Sequence, residues 1–116
     1  MKMIQKFSVA FSGLIYCLRT QINMAIHLAA MLMVIALGWY LHLHSWEWAI
    51  LAITIAAVLA AEIFNTAVEV IVDLTTTKQY HPLARIAKDV AAGAVLVTSL
   101  GAVAVGYFIF GPYFGF

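Results

Sequence analysis

Charge is scarce in this 116-residue sequence: Asp, Glu, Lys and Arg make up 9% of it, against roughly 25% in soluble globular domains. That scarcity excludes an ordinary soluble domain. It also excludes a disordered chain, which needs low hydrophobicity and high charge. Six Lys/Arg against five Asp/Glu leave a formal net charge of +1, so nothing points to nucleic acid as a partner. The single cysteine, Cys17, cannot form an intrachain disulfide and has no second thiol with which to hold a metal. There is no internal repeat, linker or low-complexity segment, and the length admits one domain, 1–116. What the chain has instead is apolar surface: 66% of its residues, with a mean hydropathy of +1.03. The composition is that of a small integral membrane protein.

Three apolar runs carry most of that hydropathy. The first, Met24 to Leu41, is interrupted by His27 alone. The second runs from Trp48 to Ala61 without a charge and continues as Ile63, Phe64, Ala67, Val68 and Val70–Val72 among polar residues. The third, Val90 to Phe110, has Thr98 and Ser99 as its polar side chains. A bilayer core about 30 Å thick takes roughly 20 helical residues, and a helix satisfies its own backbone in lipid. The runs predict transmembrane helices over 24–44, 46–74 and 84–111. Trp39, Tyr40, Trp46 and Trp48 bracket the first connection, and Tyr107, Phe108 and Phe110 close the third span, as interface aromatics do. Gly111-Pro112 is expected to stop the last helix.

The first 20 residues differ. Ile4, Phe7, Phe11, Leu14 and Leu18 recur at helical spacing, opposite Lys2, Gln5, Ser12, Tyr16 and Arg19. This segment, 1–20, predicts an amphipathic helix lying in the membrane interface. A secretory leader is not expected, since the apolar run starts late and no small-residue cleavage site follows. The fold class is therefore all-α integral membrane: one interfacial helix and three spans.

Lys2, Lys6 and Arg19 precede the first span, and Lys78, Arg85 and Lys88 lie between the second and third, whereas the other loop and the C-terminal tail hold no Lys or Arg. Under the positive-inside rule this bias puts the N-terminus and the 2–3 loop on the cytoplasmic side. Four of the five acids, Glu62, Glu69, Asp73 and Asp89, fall toward that same end. Glu47, at the opposite end, reads as a solvated helix-end charge.

Glu62, Asn65, Glu69 and Asp73 are 3, 4 and 4 residues apart, which places them within roughly 80° on one helix face. Glu62 falls just inside the lipid boundary, with Glu69 and Asp73 about 10 and 17 Å further along. Carboxylates in lipid cost a few kcal/mol each, and neighbouring ones repel. A divalent cation offsets both effects, and oxygen ligands without thiols suit magnesium, which retains waters and phosphate oxygens as ligands. Lys88 adds a compact positive charge for a phosphate. A structural alternative stands beside this reading, in which the acids pair with Arg85, Lys88 or backbone donors and do nothing else.

The run E-x-x-N-T-A-x-E-x-x-x-D from Glu62 to Asp73, followed by H-P-L-A-x-x-A-K-D-x-A-A-G-A-V from His81 to Val95, resembles the prokaryotic diacylglycerol kinase family. The His-Pro-Leu-Ala form is closer to its undecaprenol kinase branch. The resemblance implies a homotrimer in the bacterial inner membrane with active sites between subunits, using ATP and a magnesium ion to phosphorylate a membrane lipid alcohol. Undecaprenol is the first candidate acceptor and diacylglycerol the second. It implies that Glu62 is the general base, Glu69 the main metal ligand, and Asn65 an orienting group for lipid or nucleotide phosphate. The resemblance further implies that Lys88 holds the ATP phosphates, with Asp73 and Asp89 supporting the nucleotide end of the site; His81, before Pro82, reads as a nucleotide contact or a turn residue. These roles suit phosphoryl transfer, which needs positioning and charge neutralisation more than covalent chemistry. No Walker-type loop is present, so helix side chains and metal must hold the nucleotide.

Where the family reads R-T-E-R-N, this chain reads R-T-Q-I-N from Arg19 to Asn23, and Gln21 stands where a metal-holding carboxylate is expected. Ser8, Val9 and Ile15 likewise occupy positions where a Lys, a polar aromatic and an Arg are expected. The other candidates read as structural: His27 a helix-packing donor, His42 and His44 interfacial, His81 as much a turn residue as a ligand, Cys17 inert packing and the methionines apolar filling. Small residues at four-residue spacing, Ala52/Ala56/Ala60 and Ala94/Thr98/Ala102/Gly106, let membrane helices approach closely, as a self-association would require. Two other function classes stay open: a small multidrug-type transporter, which calls for four spans and one acid at mid-membrane, and a catalytically silent assembly protein.

The charge bias generates a topology test. In a Cys17→Ser background, Ser45→Cys and Gly115→Cys are expected to react with an impermeant thiol reagent outside intact cells, and Thr77→Cys to stay protected. The opposite labelling pattern inverts the orientation.

Overall fold

The computed structural model describes all residues, 1–116, as four α-helices and a terminal 3-10 turn: α1 Met3–Thr20, α2 Ile22–Leu41, α3 Ser45–Thr76, α4 Pro82–Phe110 and the turn Gly111–Phe114. α2, α3 and α4 are each long and apolar enough to cross a membrane. Only 13 of 116 residues are buried. The chain therefore has no soluble-type core, and its apolar side chains face outward to lipid or to other chains. The apolar face of α1 is open in the same way: Ile4, Phe7 and Phe11 are exposed, and Cys17 is its one buried residue.

α3 and α4 are antiparallel neighbours. Asp73 near the end of α3 meets Lys88 near the start of α4, while Glu47 at the start of α3 meets Tyr113 beyond the end of α4. α2 lies along the other flank of α3, so Gln21 meets Glu69 at one end and Gly38 meets Trp48 at the other. The second contact is tight: a Cβ on Gly38 would come within 2.6 Å of the Trp48 ring and 2.9 Å of the Leu43 side chain. Glycine is the residue that permits this approach. α3 has 32 residues, about 48 Å at 1.5 Å per residue. It outruns the hydrocarbon core, and the Glu69–Thr76 end is the part carrying polar side chains.

The helix bounds shift by one to three residues from the expected 24–44, 46–74 and 84–111, and the end of α2 shows a local cause. α2 stops at Leu41 rather than 44, because His42 turns into the left-handed region (φ 55°, ψ 57°) and the Leu43 N–H caps back onto the Gly38 carbonyl at 3.2 Å. At the other end α4 stops at Phe110, as expected from Gly111-Pro112, and a 3-10 turn follows. Gly111 keeps helical angles, the backbone tightens into the 3-10 turn, and the Phe116 N–H returns to the Gly111 carbonyl at 2.9 Å. Gly115 at φ 88° closes that turn, so a cysteine there is strained and Phe116, 82% exposed, is the better labelling position.

That turn overturns the expectation for Glu47. The side chain is not a solvated helix-end charge: Glu47 is 3% exposed. Its Oε1 accepts from the Tyr113 hydroxyl at 2.7 Å and from the His44 backbone N–H at 3.0 Å. The second bond caps α3, and the first ties the chain terminus to the α2–α3 turn. An apolar cluster of Leu43, Leu51, Ile109 and Phe110 sits beside it.

Tyr113→Phe leaves this buried carboxylate short of one charge-assisted donor. The expected result is a thermal midpoint lower by roughly 5 °C in detergent. An unchanged midpoint for Tyr113→Phe means the bond does not hold the terminus.

Candidate active site

The four polar residues of the α3 stripe differ in how they are held, and the difference runs along the helix. Asp73, about one-third exposed, receives the Lys88 ammonium on Oδ1 at 2.6 Å. Four residues nearer the membrane, Glu69 is held by two amides. Gln21 Nε2 donates to Oε2 at 3.1 Å, and Asn65 Nδ2 donates to Oε1 at 3.4 Å. Glu62 is fully buried, with neither oxygen hydrogen-bonded. Asn65 is buried too, and its Oδ1 has no donor.

A single residue between α1 and α2 delivers Gln21 to Glu69. Gln21 is extended (φ −118°, ψ 110°), its N–H ends α1 on the Cys17 carbonyl at 2.9 Å, and its carbonyl starts α2 by accepting from the Met24 N–H at 3.2 Å. Cap for both helices, it sits at a break that turns its side chain out of either helix face and across to α3. Facing Glu62 is His27 on α2, with Nε2 3.7 Å from Oε2. The Thr66 hydroxyl, buried one turn on, donates to the Glu62 backbone carbonyl at 2.9 Å and leaves the carboxylate untouched.

The α3–α4 loop forms the outer rim of the site. Thr77 and Lys78 both have positive φ (51° and 63°), a conformation that disfavours side-chain-bearing residues. The Thr77 and Lys78 N–H groups both return to the Asp73 carbonyl. A polar cleft of about 420 Å³ opens here between Asp73, Thr76, Lys78, His81, Arg85 and Lys88. His81 is the N-cap of α4: its Nδ1 accepts from the Leu83 N–H at 3.1 Å, with Pro82 in the first turn. Asp89 faces Arg85 at 3.7 Å as an exposed i,i+4 pair, a kind worth little to stability.

The structure thus brings Gln21, Asn65 and Glu69 together, and separately Asp73 with Lys88. It sets Glu62 apart in the apolar interior and leaves Asp89 and His81 on the rim. No three His, Cys, Asp or Glu side chains of one chain gather around a common point suited to a metal. The donors present are nonetheless all hard oxygens: the Glu69 carboxylate, the unpaired Asn65 Oδ1 and the amide oxygen of Gln21. They fit an ion that accepts one carboxylate and completes its shell with water and phosphate oxygens, as magnesium does. They do not form an all-protein cage. His27 and Glu47 are the polar residues whose environment the sequence reading missed.

Residues 8–110 match the family of prokaryotic diacylglycerol kinases. The chain is 44% identical over 104 residues to a diacylglycerol kinase of Synechocystis sp., covering 90% of this chain and 59% of that protein. It is 39% identical over 111 residues to an undecaprenol kinase of Bacillus subtilis, covering 96% of this chain and 89% of that protein. The chain therefore spans little more than half of the Synechocystis relative and most of the Bacillus one. Glu62, Asn65, Glu69, Asp73, Lys88 and Asp89 all lie within the matched region, and on that match the chain belongs to the prokaryotic diacylglycerol kinase family.

Proposed function

We propose that the chain is a membrane lipid kinase that transfers the γ-phosphate of ATP to the hydroxyl of a lipid alcohol, with undecaprenol as the preferred acceptor. The observation that carries this is the α3 stripe: a fully buried, unpartnered Glu62 in line with an amide-held Glu69 and a lysine-paired Asp73. Both Glu62 oxygens are unpartnered, so their lone pairs are free to accept a proton, which is what a general base for a lipid hydroxyl has to do. In the transfer, the lipid oxygen bonds to the γ-phosphorus, the bond from that phosphorus to the ADP oxygen breaks, and the hydroxyl proton passes to Glu62. Lys88, freed from Asp73 or shared with it, neutralises phosphate charge, and the polar cleft beside it is the nucleotide's entrance. Glu69, Asn65 and Gln21 would hold a magnesium ion, which would supply further charge neutralisation on the phosphates.

Undecaprenol rather than diacylglycerol is favoured by the His81-Pro82-Leu83-Ala84 sequence and by a relative of that name that this chain covers almost end to end. The two acceptors, with a ceramide-like alcohol as a third, are separated by labelled ATP and purified protein in lipid. No transfer to any of them favours the silent assembly protein. The three long apolar helices fall one short of the multidrug-type transporter's four. A homotrimer with the N-terminus in the cytoplasm completes the reading. One chain leaves the Glu69 site open on one side, and the Ala52/Ala56/Ala60 ridge of α3 faces outward, free to take a second copy.

Glu62→Gln tests the base. Transfer is expected to fall by about 10²- to 10⁴-fold with nucleotide binding nearly intact, whereas turnover within about threefold of the parent removes Glu62 from the mechanism.

Gln21→Glu tests the metal site. It replaces an amide donor 3.1 Å from Glu69 by a second carboxylate, which repels Glu69 until a cation lies between them. The half-saturating free magnesium for transfer is expected to fall, at fixed Mg-ATP. The thermal midpoint of Gln21→Glu is expected to rise with magnesium more steeply than the parent's. If neither quantity responds, Gln21 is a packing residue and not part of the metal site.

A further inference from the structure

We infer that His27 is the positioning residue for Glu62, orienting its carboxylate for the proton transfer; the inference rests on the reading of Glu62 as the base. Glu62 is fully buried and neither of its oxygens has a hydrogen-bond partner. The polar side chain that faces it is His27, whose Nε2 lies 3.7 Å from Oε2, and that ring is itself mostly buried, at 18% side-chain exposure. His27 also forms part of the wall of an apolar cleft of about 390 Å³ between α2, α3 and α4, where Thr54 and Ser99 are the other polar lining residues. The imidazole therefore stands between an apolar groove and a carboxylate with no hydrogen-bond partner.

A histidine used for packing satisfies its ring N–H on a backbone carbonyl or in water. His27 has its Nε2 turned to a carboxylate instead. A separation of 3.7 Å is just outside hydrogen-bond range, and catalytic contacts of this length tighten when a substrate is seated. With Nε2 carrying the hydrogen, His27 donates to Oε2 and fixes the plane of the carboxylate. Oε1 then keeps its lone pair for the lipid hydroxyl. Without that donor the Glu62 side chain is free to rotate about its terminal torsion, which is broad and weakly restrained. A misplacement of about 1 Å in a reacting group costs on the order of 10²-fold in rate. His27 takes no proton from the lipid in this scheme and touches no reacting atom.

The test compares His27→Leu, His27→Gln and Glu62→Gln, alone and combined, by labelled ATP and lipid alcohol with purified protein in lipid. His27→Leu is expected to lower kcat by about 10- to 100-fold while leaving KM for ATP and for lipid within about twofold. His27→Gln keeps an N–H near the original Nε2 and is expected to restore kcat to within about fivefold of the parent. On the Glu62→Gln background, His27→Leu is expected to cost nothing further, since its effect passes through the carboxylate. Parent-like kcat in His27→Leu, with Glu62→Gln inactive, overturns the role of His27 and leaves the base standing. So does an equal fractional loss on both backgrounds, or a raised KM at unchanged kcat. If His27→Leu does not fold, His27→Gln decides, and a loss there as large as in Glu62→Gln also overturns the proposal. Parent-like turnover in Glu62→Gln is a different result: it removes the base itself.

Discussion

A carboxylate has to be kept inside a bundle that offers it almost nothing. Glu62 sits on the longest helix of the chain, fully buried, with both oxygens unpaired, and much of the surrounding arrangement follows from that constraint. An ionised group in such a place is tolerated only if its charge is neutralised or shared. Moving along α3 away from the apolar interior, the constraint relaxes in steps: Glu69 gains two amide donors, and Asp73 gains a lysine. The order of these partners follows the order of exposure. Neutral donors suffice where the site is half open, and a full countercharge appears at the water-facing end, where a lysine is cheap to solvate.

Antiparallel packing of α2 on α3 is what supplies the partners. Gln21 meets Glu69. Six residues further along α2 is His27, and seven residues back along α3 is Glu62, distances of about 9 and 10 Å on two helices running in opposite directions. Once the first contact is made, the second follows from helix geometry alone. The extended backbone at Gln21 starts this register, because it ends α1 and begins α2 with one residue. A continuous helix through that point would carry Gln21 on a helix face and lose the cross-contact.

The polar stripe on α3 was legible in the sequence because helical periodicity is a local property, and its side chains are the only charges in an apolar run. The same logic finds Lys88 and the Asp73 end of the site. Three features were not legible, each because it depends on how distant segments meet. Glu47 reads as a helix-end charge until the chain beyond Phe110 folds back and brings Tyr113 to it. The end of α2 depends on a left-handed His42 and on the contact of Gly38 with Trp48, neither of which has a composition signal. His27 reads as packing because periodicity cannot say which acid lies across from it. Its partner is recoverable only by pairing Gln21 with Glu69 first and counting from there.

Gln21 shows how a local change alters the balance of this arrangement without altering its shape. An amide at this position donates to Glu69 and stabilises it in the absence of a cation, where a carboxylate would repel it. The substitution therefore trades metal attraction for a self-satisfied resting state. The same amide retains an oxygen that can face an ion, and Asn65 Oδ1 is a second such oxygen, buried and unpaired. A site built from one carboxylate and two amide oxygens carries a single formal negative charge, so it binds a divalent ion more weakly than a two-carboxylate site. On the proposed reading, the phosphates of the nucleotide would then contribute more of the ligation, so that metal and nucleotide would bind together.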